Sequence, residues 1–191
     1  MSRAEFAERF PGANILPWEG TWPTIADDAF IAPGAVVIGN VAVGSQSSIW
    51  FNTVVRGDIA PITIGERSSV QDCTVVHVNM DAPTIIGDDV TIGHSALVHG
   101  TKVHDGVLVG MGAILMSYSE IGAGAVIAAG ALIPERTIVP KNAVMVGTPA
   151  KQRNELDEQQ ASHLAGIPGR YVRVSRQYIA EIQHLEDANE H

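Results

Sequence analysis

An aliphatic residue returns every six positions along most of this chain, and no other feature narrows its possible folds as far. Four runs carry the beat: Val37, Val43, Ile49 and Val55; Ile64, Val70 and Val76; Ile86, Ile92 and Val98; then Val103, Val109, Leu115, Ile121, Ile127 and Ile133. Glycine often comes next, as in Val43-Gly44, Ile64-Gly65, Ile86-Gly87 and Val109-Gly110. A period of six matches neither a helix nor a hairpin. It suits short β-branched strands separated by tight bends, with one aliphatic per hexad pointing inward and small residues letting the chain turn. Stacked as coils, such hexads bury a continuous apolar column, the signature of a parallel β-helix over residues 35–150.

The tandem hexads resemble those of the hexapeptide-repeat proteins, whose β-helix is left-handed and builds a triangular coil of about eighteen residues from three hexads. Handedness is implied by that resemblance only, since left-handed crossovers are otherwise rare. About six coils fit between residues 35 and 150. Residues 1–34, with "LPWEGTWPTI", show no clear hexads and are expected to form first strands and a cap, because an uncovered end exposes apolar surface and unpaired strand edges. Residues 151–191 lose the beat and turn rich in Glu, Gln, Arg and Ala. Tyr171, Val174, Tyr178, Ile182 and Leu185 recur there at helical steps, which predicts an amphipathic helix packed along the prism, Tyr171 and Tyr178 included. A shorter helix is expected around "NELDEQQASHLAG", ended by Gly166 and Pro168.

At 191 residues the chain is long enough for one main core. Its 12 Lys and Arg against 21 Asp and Glu give a net charge of -9 and no basic stripe, which argues against nucleic acid. The opening "MSRAEFAERFPGANILPWEG" lacks the apolar block of a signal peptide, and no later segment is apolar over a membrane-spanning length. A cytoplasmic protein with no membrane contact is expected. The single cysteine, Cys73, rules out an intrachain disulfide and reads as a small buried filler.

The stretch "TVVHVNMDAPTIIGDDVTIGHSALVHG" at 74–100 sets three histidines on the beat. His77 follows Val76 and His99 follows Val98, so both hold the same phase, 22 residues apart. That is one coil plus four, and a four-residue insertion around "NMDAP" restores register, placing the two about 4.8 Å apart along the stack. His94 comes two places after Ile92, one hexad earlier, on the order of 10 to 16 Å from His99. One subunit does not easily close all three on one ion. Two neighbouring edges do, one offering His77 with His99 and the other His94, and three such junctions close a three-fold ring. A homotrimer with three interfacial metal sites is expected. Three neutral imidazoles with one open position let Zn²⁺ bind water and lower its pKa to about 7, giving hydroxide at neutral pH. The same offset of 22 places Asp72 below His94 and Gln71 below Gly93. The other histidines, His104, His163, His184 and His191, read as structural.

Together, "VVRGD", "VQDCTVVH" and "TIGHSALVHG" resemble the γ-class carbonic anhydrase family, and the likeness continues through "VGMGAILM" and "VGTPAKQRNEL". The resemblance implies a lyase that hydrates CO2 reversibly to bicarbonate by a metal-hydroxide mechanism, with His77, His94 and His99 binding zinc, or iron or cobalt, across the interface of a homotrimer. It also implies that Arg56, Asp58 and Asp72 make ionic contacts ordering the subunit junction and that Gln71 hydrogen-bonds the metal-bound hydroxide. Active members can carry a glutamate-rich loop thought to shuttle protons, whereas here "VNMDAPT" contains no Glu and residue 59 is Ile. The chain therefore looks like a shorter-loop branch, with His104, Asp81 or Tyr178 as candidate substitutes. A CoA-dependent acyltransferase or thioesterase on the same scaffold is the alternative, as is a non-catalytic metal-binding trimer.

Overall fold

Six-residue spacing sorts each hexad into an inward aliphatic, its outward neighbour and a corner, and the computed structural model, which describes residues 2–189 and their side chains except 183 and 185–189, follows that sorting. Every aliphatic of the four runs is at most 3 % exposed. The strands pair in parallel from coil to coil, so that Val37, Val55, Val76, Val98, Leu115 and Ile133 stack in one column. Small polar residues occupy other inward positions; several of their hydroxyls bond to carbonyls, whereas the buried Thr91 Oγ1 has no partner among the described residues. Thr53 and Thr74 donate to the Gln71 and Gly93 carbonyls one coil on, and Ser47 and Ser68 donate to Gly65 and Gly87.

The result is a parallel β-helix of about seven turns with helices at its C-terminal end. The solenoid begins earlier than the hexads suggest. Strands Asn14–Leu16, Thr24–Ile25 and Phe30–Ile31 already pair in parallel with the next coil. An excursion at "PWEGTW", closed by an antiparallel bridge between Trp18 and Thr21, interrupts the beat between Ile15 and Ile25 and hides this coil from a count of sixes. Helix α1 (Arg3–Arg9), started by a Ser2–Glu5 capping box, plugs the open end with Phe6 and Phe10, both buried.

Four expectations need correcting. Residues 151–155, assigned to the helical tail, belong to strand Ala150–Glu155, which folds back antiparallel on Ala143–Gly147 and ends the stack with the sheet's antiparallel pair. The short helix accordingly starts late, as α2 (Glu158–Ala165), capped by Asp157 with Gln160. Pro168 terminates nothing; it lies in the first turn of α3 (Ile167–Asn189), where a missing N–H has no intrahelical partner to lose. Cys73 is exposed, because it holds a corner at φ 60 whose side chain turns outward. The Leu185 side chain and His191 lie outside the described residues.

The prism has three outer faces of different character. The first carries a half-exposed aliphatic line of Val36, Val54, Val75, Leu97, Ile114 and Leu132, one outward residue from each strand. The second is covered by the tail: Tyr178 rests on the rings of Phe30, Trp50 and Phe51, and Tyr171 meets Trp50 edge-on. Beneath that cluster the Trp50 indole N–H is shared between the Ser48 and Ser69 hydroxyls at 3.0 and 2.8 Å. The third, with Thr63, Ile85, Lys102, Glu120 and Ile138, is largely exposed. Among the described residues no helix is long and apolar enough to cross a membrane.

Candidate metal centre

His77 and His99 end strands Val75–His77 and Leu97–His99, which pair residue for residue with His77 opposite His99. The insertion that keeps them in register loops out at 79–82, where Asn79 and Ala82 form an antiparallel bridge. One coil later the chain saves a residue, since Val98 and Val103 are five apart and Gly100 takes the corner at φ 53. The two rings therefore lie one above the other, their planes inclined by 59°, with centroids 5.1 Å apart and His77 Nδ1 at 3.2 Å from His99 Nε2.

Their remaining nitrogens are held by oxygens. His77 Nε2 lies 2.9 Å from Asp58 Oδ1, and His99 Nδ1 lies 2.9 Å from Ser117 Oγ. Arg56 grips the other Asp58 oxygen. Burial pushes the Asp58 carboxyl up, but hydrogen bonds from His77 and Arg56 outweigh it and leave the group below the usual aspartate value. Burial, with the nearby charges of His77 and Arg56, holds the His99 imidazole below its ordinary value. Within one chain, Asp58 contacts both Arg56 and His77.

His94 stands apart from the pair. It sits at the corner leading into the aliphatic face, whereas His77 and His99 stand where the chain leaves that face. Its Nδ1 contacts Asp72 Oδ2 at 2.6 Å, one coil away, as the offset of 22 requires. Gln71, beside Asp72, is only 3 % exposed. Among the described residues, no three or more ligating side chains of this one chain gather around a common point. The substitutes for a proton shuttle lie elsewhere: His104 is bonded to Glu120 at 2.6 Å on the third face, and Tyr178 is packed in the aromatic cluster. Asp81 lies within the 79–82 loop, next to the exposed Met80. Ser117 escapes a count along the sequence: the coil after His99 is shortened by one residue at Gly100, so strand register runs at an offset of 17 and Ser117 lies one place beyond the position that faces His99.

Two imidazole nitrogens facing each other at 3.2 Å match the spacing demanded by a tetrahedral metal, because zinc–nitrogen bonds of about 2.0–2.1 Å set neighbouring ligand atoms roughly 3.3 Å apart. All three histidines show one nitrogen backed by an oxygen, the arrangement that fixes the tautomer of metal-binding imidazoles. The residues present fit a metal of the zinc type.

Comparison with known proteins agrees in kind. The family described as bacterial transferase hexapeptide (six repeats) matches residues 100–135. A carbonic anhydrase of Geobacillus kaustophilus is 45% identical over 166 residues, covering 87% of this chain and 91% of the relative. Gamma carbonic anhydrase 2, mitochondrial, of Arabidopsis thaliana is 39% identical over 83% of this chain and 59% of its own greater length. The chain belongs to the γ-class carbonic anhydrase family. Membership places it among lyases whose named members hydrate CO2, on the hexapeptide solenoid described above. A solved Bacillus cereus structure described as an acetyltransferase superposes on this fold with a TM-score of 0.87 at 40% identity, covering 88% of this chain and 98% of that one.

Proposed function

We propose that this protein is a metal-dependent carbonic anhydrase of the cytoplasm, interconverting CO2 and bicarbonate at three sites between the subunits of a homotrimer. The observation that carries the reading is the His77–His99 approach at 3.2 Å, with the far nitrogen of each ring already occupied by a protein oxygen. His77 Nδ1 and His99 Nε2 would hold the metal from one chain, and His94 Nε2 from its neighbour. Zn²⁺ suits imidazole, and Fe²⁺ or Co²⁺ suits the same set. When bound, such an ion supplies a Lewis acid that lowers the pKa of water to about 7.

The chain's own residues do the positioning. Asp58 accepts a hydrogen bond from His77 Nε2–H and Asp72 one from His94 Nδ1–H, which leaves the opposite nitrogens as donors to the metal. Arg56 keeps Asp58 ionised and aimed, and Gln71 offers a buried amide to an oxygen of the substrate. Assembly is supported by the aliphatic line on the first face, which is flanked by His94 on one edge and the His77–His99 pair on the other. Docking that face against neighbours in a ring brings unlike edges together, a heterologous contact that closes on itself.

The acyl-transfer reading draws on the description of the Bacillus cereus neighbour. It needs one histidine as a base and gives no reason for two imidazoles in register with a third backed by Asp72. Metal analysis of anaerobically prepared protein, paired with CO2 hydration, separates the two. About one metal per subunit with hydration is the expected result; metal-free protein that transfers acyl groups would overturn the proposal. His94→Ala should lose the metal while keeping the β-helix, since the apolar column is untouched. Mixing His77→Ala with His94→Ala subunits should restore metal binding at some junctions, and no recovery would count against a site shared by two chains.

A further inference from the structure

Asp58, His77, His99 and Ser117 form an unbroken line of contacts, 2.9 Å from carboxylate to His77, 3.2 Å between the imidazoles and 2.9 Å from His99 to the hydroxyl. A neutral imidazole has one N–H and one lone pair, and a carboxylate only accepts. His77 therefore carries its proton on Nε2, toward Asp58, and its lone pair on Nδ1. Two arrangements of the rest fit these distances. In one, His99 Nε2–H donates to His77 Nδ1 and the Ser117 hydroxyl donates to His99 Nδ1, so every contact is a proper hydrogen bond. In the other, His99 Nδ1–H donates to Ser117 and two lone pairs face each other across 3.2 Å, an arrangement that repels unless a cation joins them.

Resting on the reading of His77 and His99 as metal ligands, we propose that Ser117 is a positioning residue that makes the site reversible. Its hydroxyl donates when no metal is bound and accepts when one is. The exchange moves one proton from His99 Nε2 to Nδ1 and turns one O–H bond; the imidazole stays neutral and no proton is lost from the line. Only a group that both donates and accepts can close the line in both states. A carboxylate at this end would lock His99 into the second arrangement and leave the metal-free protein with opposed lone pairs. Ser117 is 3 % exposed, so solvent does not readily take its place. Because it is uncharged, removing it leaves the charge of the site unchanged, unlike removing Asp58 or Asp72.

The test uses the assembled protein with ¹⁵N-labelled histidine, examined above the imidazole titration range after chelation and again with stoichiometric Zn²⁺. Wild-type His99 should give the Nε2–H tautomer after chelation and the Nδ1–H tautomer with zinc. Ser117→Ala should lose the first preference and bind zinc about 10- to 100-fold more weakly in competition with a chromophoric chelator. Ser117→Thr, which keeps the hydroxyl, should recover both. Subunit mass and circular dichroism check that the variants are assembled and folded. Wild-type protein that takes up zinc with no change of His99 tautomer would overturn the role of Ser117 alone, as would Ser117→Ala binding zinc as tightly as wild type. Wild-type protein that takes up no zinc at these histidines overturns the metal reading itself, and this inference with it.

Discussion

At the scale of single residues, this solenoid is governed by where a side chain has room. At Gly110 an added Cβ would sit 2.4 Å from the Ala129 nitrogen and 2.7 Å from the Ala128 carbonyl carbon, both backbone atoms of the next coil. Gly110→Ala should therefore push coils apart and cost about 1–3 kcal/mol, read as a lower melting temperature. Gly112, two residues on, has φ 65 but open space around it. Gly112→Asn should cost well under that amount, since Asn tolerates the left-handed region, and an equal loss at both sites would refute the distinction. The proton path is also a residue-scale matter. Ile59, next to Asp58, is exposed at 51 % and offers no titratable group. Turnover should be limited by external buffer, so added imidazole should raise kcat at fixed pH and leave kcat/KM unchanged; Ile59→Glu should reduce that dependence.

At the scale of elements, the inward position of each hexad was legible because a period of six permits few folds, and each repeat confirms the phase of the last. The register of His77 with His99, and of Asp72 with His94, could be counted for the same reason: the insertion at 79–82 shifts the whole offset to 22 and keeps neighbouring columns consistent. What broke the count was irregular chain. The excursion at 18–21 concealed the first coil, and the hairpin at 143–155 ran into a tail whose composition reads as helical. Hydrogen-bond partners such as Ser117 were harder still, since they depend on rotamers and on a corner shortened by one residue at Gly100. The stack's stability resides in the inward column, where side chains touch coils above and below. Ile92→Ala, at a fully buried position, should cost about 2–5 kcal/mol by denaturant titration. Tyr178→Ala, on the covered second face, should chiefly loosen α3.

At the scale of the whole molecule, one face carries the tail, one is largely exposed, and in the proposed trimer the third would meet a partner. The aliphatic line on the first face lies between His94 and the His77–His99 pair, so in the proposed trimer it is the part that would be covered. Leu97→Glu, in the middle of that line and pointing outward, should leave each β-helix folded while lowering the assembled mass to that of a monomer near 20.2 kDa. Metal content should fall in parallel, because the His94 edge and the His77–His99 edge no longer meet. A variant that stays trimeric, or a monomer that keeps its metal, would contradict the shared site. Circular dichroism, sedimentation and metal analysis together distinguish these results.

The placing of His94 on one margin of that face and the stacked pair on the opposite margin has a further consequence. In the proposed ring, a newly translated chain owns halves of two different centres and the whole of neither. Its demand for scarce cations begins only on meeting its siblings, so dilution, slow synthesis or a poisoned mixture of defective copies would each silence the protein without unfolding it.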